Sequence, residues 1–147
     1  MTDFPLSEIT LRKYENPYQS DKRELCKKIC LSLGLLQPGD SRDIIVDILA
    51  VLLEAKNKKE ELETETIKEK AIASRKKSNL ELSGIADSNI RRQLKRLKDI
   101  FLIEKTNSGY RISEFESLIK IFDEKIANFL VPSIIARIRE YLAAIEK

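Results

Sequence analysis

Ile90-Arg91-Arg92-Gln93-Leu94-Lys95-Arg96-Leu97-Lys98-Asp99-Ile100-Phe101-Leu102-Ile103-Glu104-Lys105, followed by Tyr110-Arg111-Ile112, is the stretch that decides the fold. At about 100° per residue with Arg91 as zero, Leu97, Ile90, Phe101 and Leu94 fall between about 240° and 300°. Arg91, Lys95, Ser88, Arg92 and Arg96 fall between about 0° and 140°, with Lys98 near 340°. One narrow apolar stripe therefore faces a core, and the opposite side is basic. Five cations from Arg91 to Lys98 repel one another in a free helix, a cost that a polyanionic partner or surface hydration must offset. Residues 102–105 and 110–112 then read as two short strands around Asn107-Ser108-Gly109, a hairpin signal with glycine in the turn.

Working back toward the N-terminus, Asp87 or Ser88 is placed to cap the basic helix, which follows a loop at 78–84. A helix from Thr64 or Thr66 carries Ile67, Ala71 and Ile72. Before it, Asp40 or Ser41 caps a helix running to about Lys58 that is apolar almost all the way round, as a helix covered on several sides must be. Asp43 and Asp47 share a face of that helix and suit its first turn and an internal ion pair better than a metal.

The chain has 147 residues, 42% of them hydrophobic and 35% charged, enough for one folded unit with helical additions. Its formal charge of +3 says little, but residues 68–111 hold twelve Lys/Arg against five Asp/Glu, while the remainder is net −4. A basic third predicts one positive face, whose usual partners are polyanions; the alternative is a solvated charged surface. No membrane span, and no leader, is legible in residues 1–20. Two cysteines and no leader fit a reducing compartment, hence the cytoplasm.

The order helix, helix, basic helix, hairpin is that of a winged helix-turn-helix. The stretch 90–105 with 110–112 resembles the recognition-helix-plus-wing signature of prokaryotic and archaeal winged-helix regulators, over roughly residues 41–113. Phe101 stands where that signature carries glycine, and the 78–84 loop is longer than the turn of a plain helix-turn-helix. The resemblance implies a mainly α-helical fold with a small β-hairpin wing, and sequence-specific binding of double-stranded DNA in transcription regulation. Ser88, Arg91, Arg92, Lys95, Arg96 and Lys98 would face the major groove and its phosphates, with Lys105, Ser108 and Arg111 on the wing beside it. Winged helices also serve purely as protein-contact modules of transcription or chromosome complexes, so a subunit or adaptor role stays open.

The ends complete the expectation. Residues 1–40 form an extended arm and a helix at 21–33, whose Cys26 and Cys30 are read as buried apolar residues, not metal ligands. Residues 114–147 form a C-terminal helical region, entered through a capping box at Ser113-Glu114-Phe115-Glu116 and broken or kinked at Pro132. Its stripes, Phe115 to Leu130 and then Ile134, Ile138, Tyr141 and Ile145, either pack back as core or pair two chains, and a homodimer is the expectation. With no His, no phosphate-binding glycine loop and no nucleophile beside a base, neither catalysis nor a cofactor or metal is expected.

Overall fold

The computed structural model describes residues 2–18 and 20–147; Met1 and Gln19, which fall in the expected arm, lie outside the described residues. The chain is mainly helical with one small two-stranded antiparallel sheet. Helix α1 spans Lys22–Ser32, α2 Ile44–Asn57, α3 Thr64–Lys77 and α4 Asp87–Asp99. Strands β1 (Ile103–Thr106) and β2 (Gly109–Ile112) form the hairpin, paired Ile103 with Ile112 through Thr106 with Gly109. Among the described residues, no helix is long and apolar enough to cross a membrane.

Helix α2 is the centre, as its all-round apolar sequence requires. Ile45, Val46, Ile48, Leu49 and Leu52 are fully enclosed, with α1, α3, α4 and β2 packed around them. Its start lies later than expected: Asp40 binds the Arg42 amide instead of capping the helix, and Asp43 occupies the cap position without a side-chain bond to the helix. The reason is that Asp43 is committed elsewhere. With Asp47 it receives Arg75 of α3 at 2.8 Å each and Arg23 of α1 at 3.2 Å each. Arg75 is only 2% exposed, Asp43 6% and Asp47 not at all, so one guanidinium and two carboxylates are enclosed together, and the partly exposed Arg23 closes the cluster from its rim. Burial alone would raise the Asp43 carboxyl, but hydrogen bonds from Arg75 and Arg23 outweigh it and hold the carboxyl below its ordinary range. The internal ion pair expected of these aspartates is thus a four-residue cluster joining three helices.

Among its described residues the arm has no regular structure, but it is pinned at Thr10 and Arg12. The Arg12 amide donates to Ser32 O, and its guanidinium donates to Leu31 O, Leu36 O and the Gln37 Oε1. These bonds satisfy carbonyls left open at the end of α1. Thr10 sits so close to Gly34 (φ +72°) that a Cβ there would lie 2.5 Å from its own Cβ. Cys26 and Cys30 are buried thiols, pushed up by burial to about 11 and about 12.

The hairpin has a third, one-residue rung. Leu62, just before α3, exchanges backbone hydrogen bonds with Tyr110 at 2.8 and 2.9 Å. This explains Gly109: a Cβ there would lie 2.3 Å from Leu62 O, so the glycine makes room for the rung as well as for the turn.

Helix α4 ends at Asp99 in a double closure, with the Phe101 amide donating to Lys98 O and the Leu102 amide to Leu97 O. That closure puts Phe101 in the left-handed region at φ +69°, where glycine is usual. Phe101 thus adopts the backbone conformation a glycine would take at this helix end. The strain, about 1–2 kcal/mol, is offset by an edge-on contact between the Phe101 and Phe129 rings, 6.1 Å apart.

Beyond the hairpin two expectations are corrected. Ser113 does not begin a capping box: its hydroxyl donates to Phe101 O within a short 3-10 turn, and Ser117 is the cap, accepting from the Lys120 amide. Pro132 does not break the chain. Helix α5 (Leu118–Ile121) runs without interruption into a π-helical segment, Phe122–Leu130, and then α6, Val131–Ile145. A proline clashes with the carbonyl four residues back in a regular helix; here Val131 donates to Ile126 O, five back, and the wider turn admits Pro132. Ile121, Ile126 and Leu130 are buried, whereas α6 has no buried residue.

Asp47→Asn should cost about 3–5 kcal/mol in urea unfolding, because it strands buried guanidinium charge. The depressed Asp43 carboxyl contributes stability that is present above its unfolded pKa and lost as pH falls through the lower folded value. Stability should therefore drop below about pH 4, with a shallower acid limb for Asp43→Asn. At Phe101 the usual ranking should invert: Phe101→Gly should melt higher than Phe101→Ala, since alanine loses the ring contact and keeps the left-handed strain. An alanine variant more stable than the glycine variant would refute that account of the helix end.

Candidate nucleic-acid interface

Ile90, Leu94 and Leu97 of α4 are wholly buried, and they orient the helix against α2 and α3. Turning this stripe inward sends Ser88, Arg91, Arg92, Lys95 and Lys98 outward, and all five are exposed. No side chain caps the start of α4, so the expected Asp87 or Ser88 cap is absent; Ala86 takes that position. Asp87 instead accepts from Lys68 of α3 at 2.7 Å, tying the two helices together.

The loop between α3 and α4 runs from Ser78 to Ala86 and is held from both sides. Arg75 Nε donates to Glu81 O at 2.6 Å, and Asn89 Nδ2 donates to Gly84 O at 2.7 Å. Asn89 Oδ1 then accepts from Arg92 at 2.7 Å and from Gln93 Nε2 at 3.0 Å, and Gln93 Oε1 accepts from Arg96 at 2.8 Å. A ladder of amides thus holds two arginines along one edge of α4. Sequence reasoning missed Asn89 and Gln93 as positioning groups. Their signal was their spacing, one helical turn from Arg92 and Arg96 on the same edge.

The expected residues are not equivalent. Arg96 is half-buried, reaching Gly34 O of the α1–α2 turn as well as Gln93. Arg111 is folded back onto the hairpin, 2.6 Å from Glu104 and 3.8 Å from Glu61, with its guanidinium 4.9 Å over the Phe115 ring. Lys95 pairs with Asp99 at 2.8 Å, an exposed contact worth little. Among the described residues, Arg91 and Lys98 have no side-chain hydrogen bond or ion pair. Lys105 and Ser108 are exposed on the hairpin.

Two grooves flank α4. On one side Arg92 and Arg96 line a cleft of about 550 Å³ with Arg42 of the α1–α2 turn, a residue fifty positions away that only the fold brings there. On the other, Lys98 and Lys105 share a groove of about 540 Å³ with Lys120 and Lys125, where Glu104, Glu114 and Glu124 dilute the charge. Among the described residues, no group of three or more His, Cys, Asp or Glu side chains could hold a metal ion.

Stability should separate these arginines. Arg96→Ala removes hydrogen bonds from a partly buried guanidinium and should lower the urea stability by about 1–2 kcal/mol. Arg91→Ala should stay within about 0.5 kcal/mol of wild type, as exposed unpaired positions do. Equal losses for both would mean that Arg91 has a packing role.

No protein-family model matches the chain, and no curated protein or solved structure matches it either, so the geometry and chemistry of this surface carry the functional reading.

Proposed function

We propose that residues 41–113 are a winged helix that binds double-stranded DNA, and that the protein acts in transcription regulation. The observation that carries this is the contrast across α4: four exposed cations, Arg91, Arg92, Lys95 and Lys98, stand opposite a wholly buried Ile90, Leu94 and Leu97 stripe. The element order supports it too, with three helices, a one-residue rung between the first two, and a hairpin after the third. In this reading the first turns of α4 enter the major groove, where Arg92, steadied by Asn89, meets guanine acceptors. Arg91 and Lys98 contact phosphates, and Lys105 and Ser108 at the hairpin meet the backbone beside the groove.

A second reading is a protein-contact module of a transcription or chromosome complex. The observation favouring it is that Arg92, Lys95 and Arg96 already have partners within the chain, which reduces the charge offered to a polyanion.

Binding to a random duplex pool across a salt series separates the two. DNA binding should weaken with a slope of log affinity on log salt of about −0.9 per phosphate contacted. On a sequence selected from the pool, Arg92→Ala should cost about 1–3 kcal/mol and relax preference at one or two base pairs, while Arg91→Ala weakens all sequences alike. Wild-type protein that binds no duplex even at low salt would leave the α4 face to a protein partner.

A further inference from the structure

The strongest feature outside α4 is the helix that nothing covers. Among the helices and strands, helix α6 packs extensively only on the segment that leads into it, and none of its residues is buried. Yet Val131, Ile134, Ile135, Ile138, Tyr141, Leu142 and Ile145 recur at three- and four-residue spacing along one side. Ile138 is 52% exposed, Tyr141 60%, Leu142 57% and Ile145 82%. The neighbouring arm offers Phe4 and Leu6, 85% and 94% exposed, at the rim of a groove shared with Ile134, Ile138 and Tyr141. The arm therefore borders this face without covering it.

We infer that the α6 face is a self-association surface, and that its occupant is the α6 of a second copy of this chain. Three features select a second copy. The first is extent: Ile135, Ile138, Tyr141, Leu142 and Ile145, each half or more exposed, lie together along three turns, a larger bare apolar face than the singly scattered residues a monomer usually leaves to water. The second is pattern: apolar residues repeat every seven positions at 131, 138 and 145 with a second row at 134 and 141, the spacing that lets one helix pack against a like helix over several turns. The third is charge. Within α6 Arg137 and Arg139 stand against Glu140, a net of only +1, so two copies meet with little repulsion, and a strongly charged partner such as a nucleic acid gains little attraction.

The body of the protein supplies none of this face, because the C-terminal region divides at Leu130. Up to that residue Ile121, Ile126 and Leu130 are buried; beyond it Val131 and Ile134 are half-covered and the other large apolar residues of α6 are exposed. Of the two outcomes open in the sequence, packing back as core holds up to Leu130, and pairing of two chains is the one inferred for the face beyond it. The inference does not depend on DNA binding.

Sedimentation or light scattering of the full chain over a concentration series tests it. Wild type should run as a dimer at micromolar concentration, and Ile138→Lys combined with Leu142→Lys should run as a monomer. Because neither residue packs on the body, the doubly substituted chain should keep its helical circular dichroism and its urea midpoint under conditions where wild type is dissociated. Wild type that stays monomeric into the hundreds of micromolar overturns the proposal. So does a double variant that folds and still dimerises, since the contact must then lie elsewhere. If that variant loses its helix signal, Tyr141→Lys alone provides the same reading at a single exposed position.

Discussion

Three buried charges, with a fourth at their rim, govern the arrangement of this protein. Asp43 at the cap of α2 and Asp47 in its buried first turns are enclosed among apolar side chains, and a buried carboxylate is tolerable only when paired and hydrogen-bonded. Arg23 arrives from α1 and Arg75 from α3, so the two neighbours of α2 are fixed in rotation and height by where their guanidinium groups must sit. Leucines in these places could give comparable stability, since the desolvation of buried ions consumes much of their attraction. Apolar contacts, however, tolerate sliding, whereas forked hydrogen bonds at 2.8 Å do not. The same Arg75 holds Glu81 O, and thereby the loop that delivers the chain to α4. The orientation of the basic helix is thus set partly from the core.

That dependence explains what the sequence revealed and what it hid. Helices α1 to α4 and the hairpin were legible because period, turn residues and stripe are local properties. The pairing of Asp43 with Asp47 was legible for the same reason, being one turn of one helix. The identity of their cations was not: Arg75 lies in a run with Lys76 and Lys77 and reads as one more surface charge. Only packing distinguishes it, because α3 turns that position inward beside Ala71 while its neighbours face water. Likewise Phe101 looked like a departure from a glycine position. The backbone keeps the glycine conformation, and its compensation, Phe129, lies 28 residues further on. The capping box at Ser113 failed because a matching tetrapeptide does not say which hydroxyl is free; Ser113 was needed at Phe101 O.

The charge count needs the same correction. Of the twelve cations in residues 68–111, Arg75 is buried, Lys68 joins α3 to α4, and Arg111 is matched by Glu104 and Glu61. These three support the scaffold and cannot also be counted as an unspent positive surface. Of the other nine, Lys70, Lys76 and Lys77 are exposed on α3 and Arg96 is half-buried against Gly34 O; the rest form a narrower and more directional set, Arg91, Arg92, Lys95 and Lys98 along α4 with Lys105 on the hairpin. A smaller set of fixed cations on a rigid helix is better suited to reading a shaped anionic surface than a larger diffuse one, because positioned groups lose less freedom on binding.

The protein keeps its charged and apolar surfaces apart, and one residue links the elements that carry them. α4 offers cations and buries its apolar stripe, while α6 carries a net charge of only +1 and leaves its apolar stripe largely bare. Between them, Phe101 at the end of α4 meets Phe129, two residues before α6 begins. A glycine at 101 would relieve the backbone but would remove this contact. The strained phenylalanine therefore makes physical sense as a joint: it ties the helix that carries the cations to the rod that carries the apolar face. Neither the rod from Leu118 to Ile145 nor α4 contains a glycine, so a partner seated on α6 would meet a stiff connection leading back to α4.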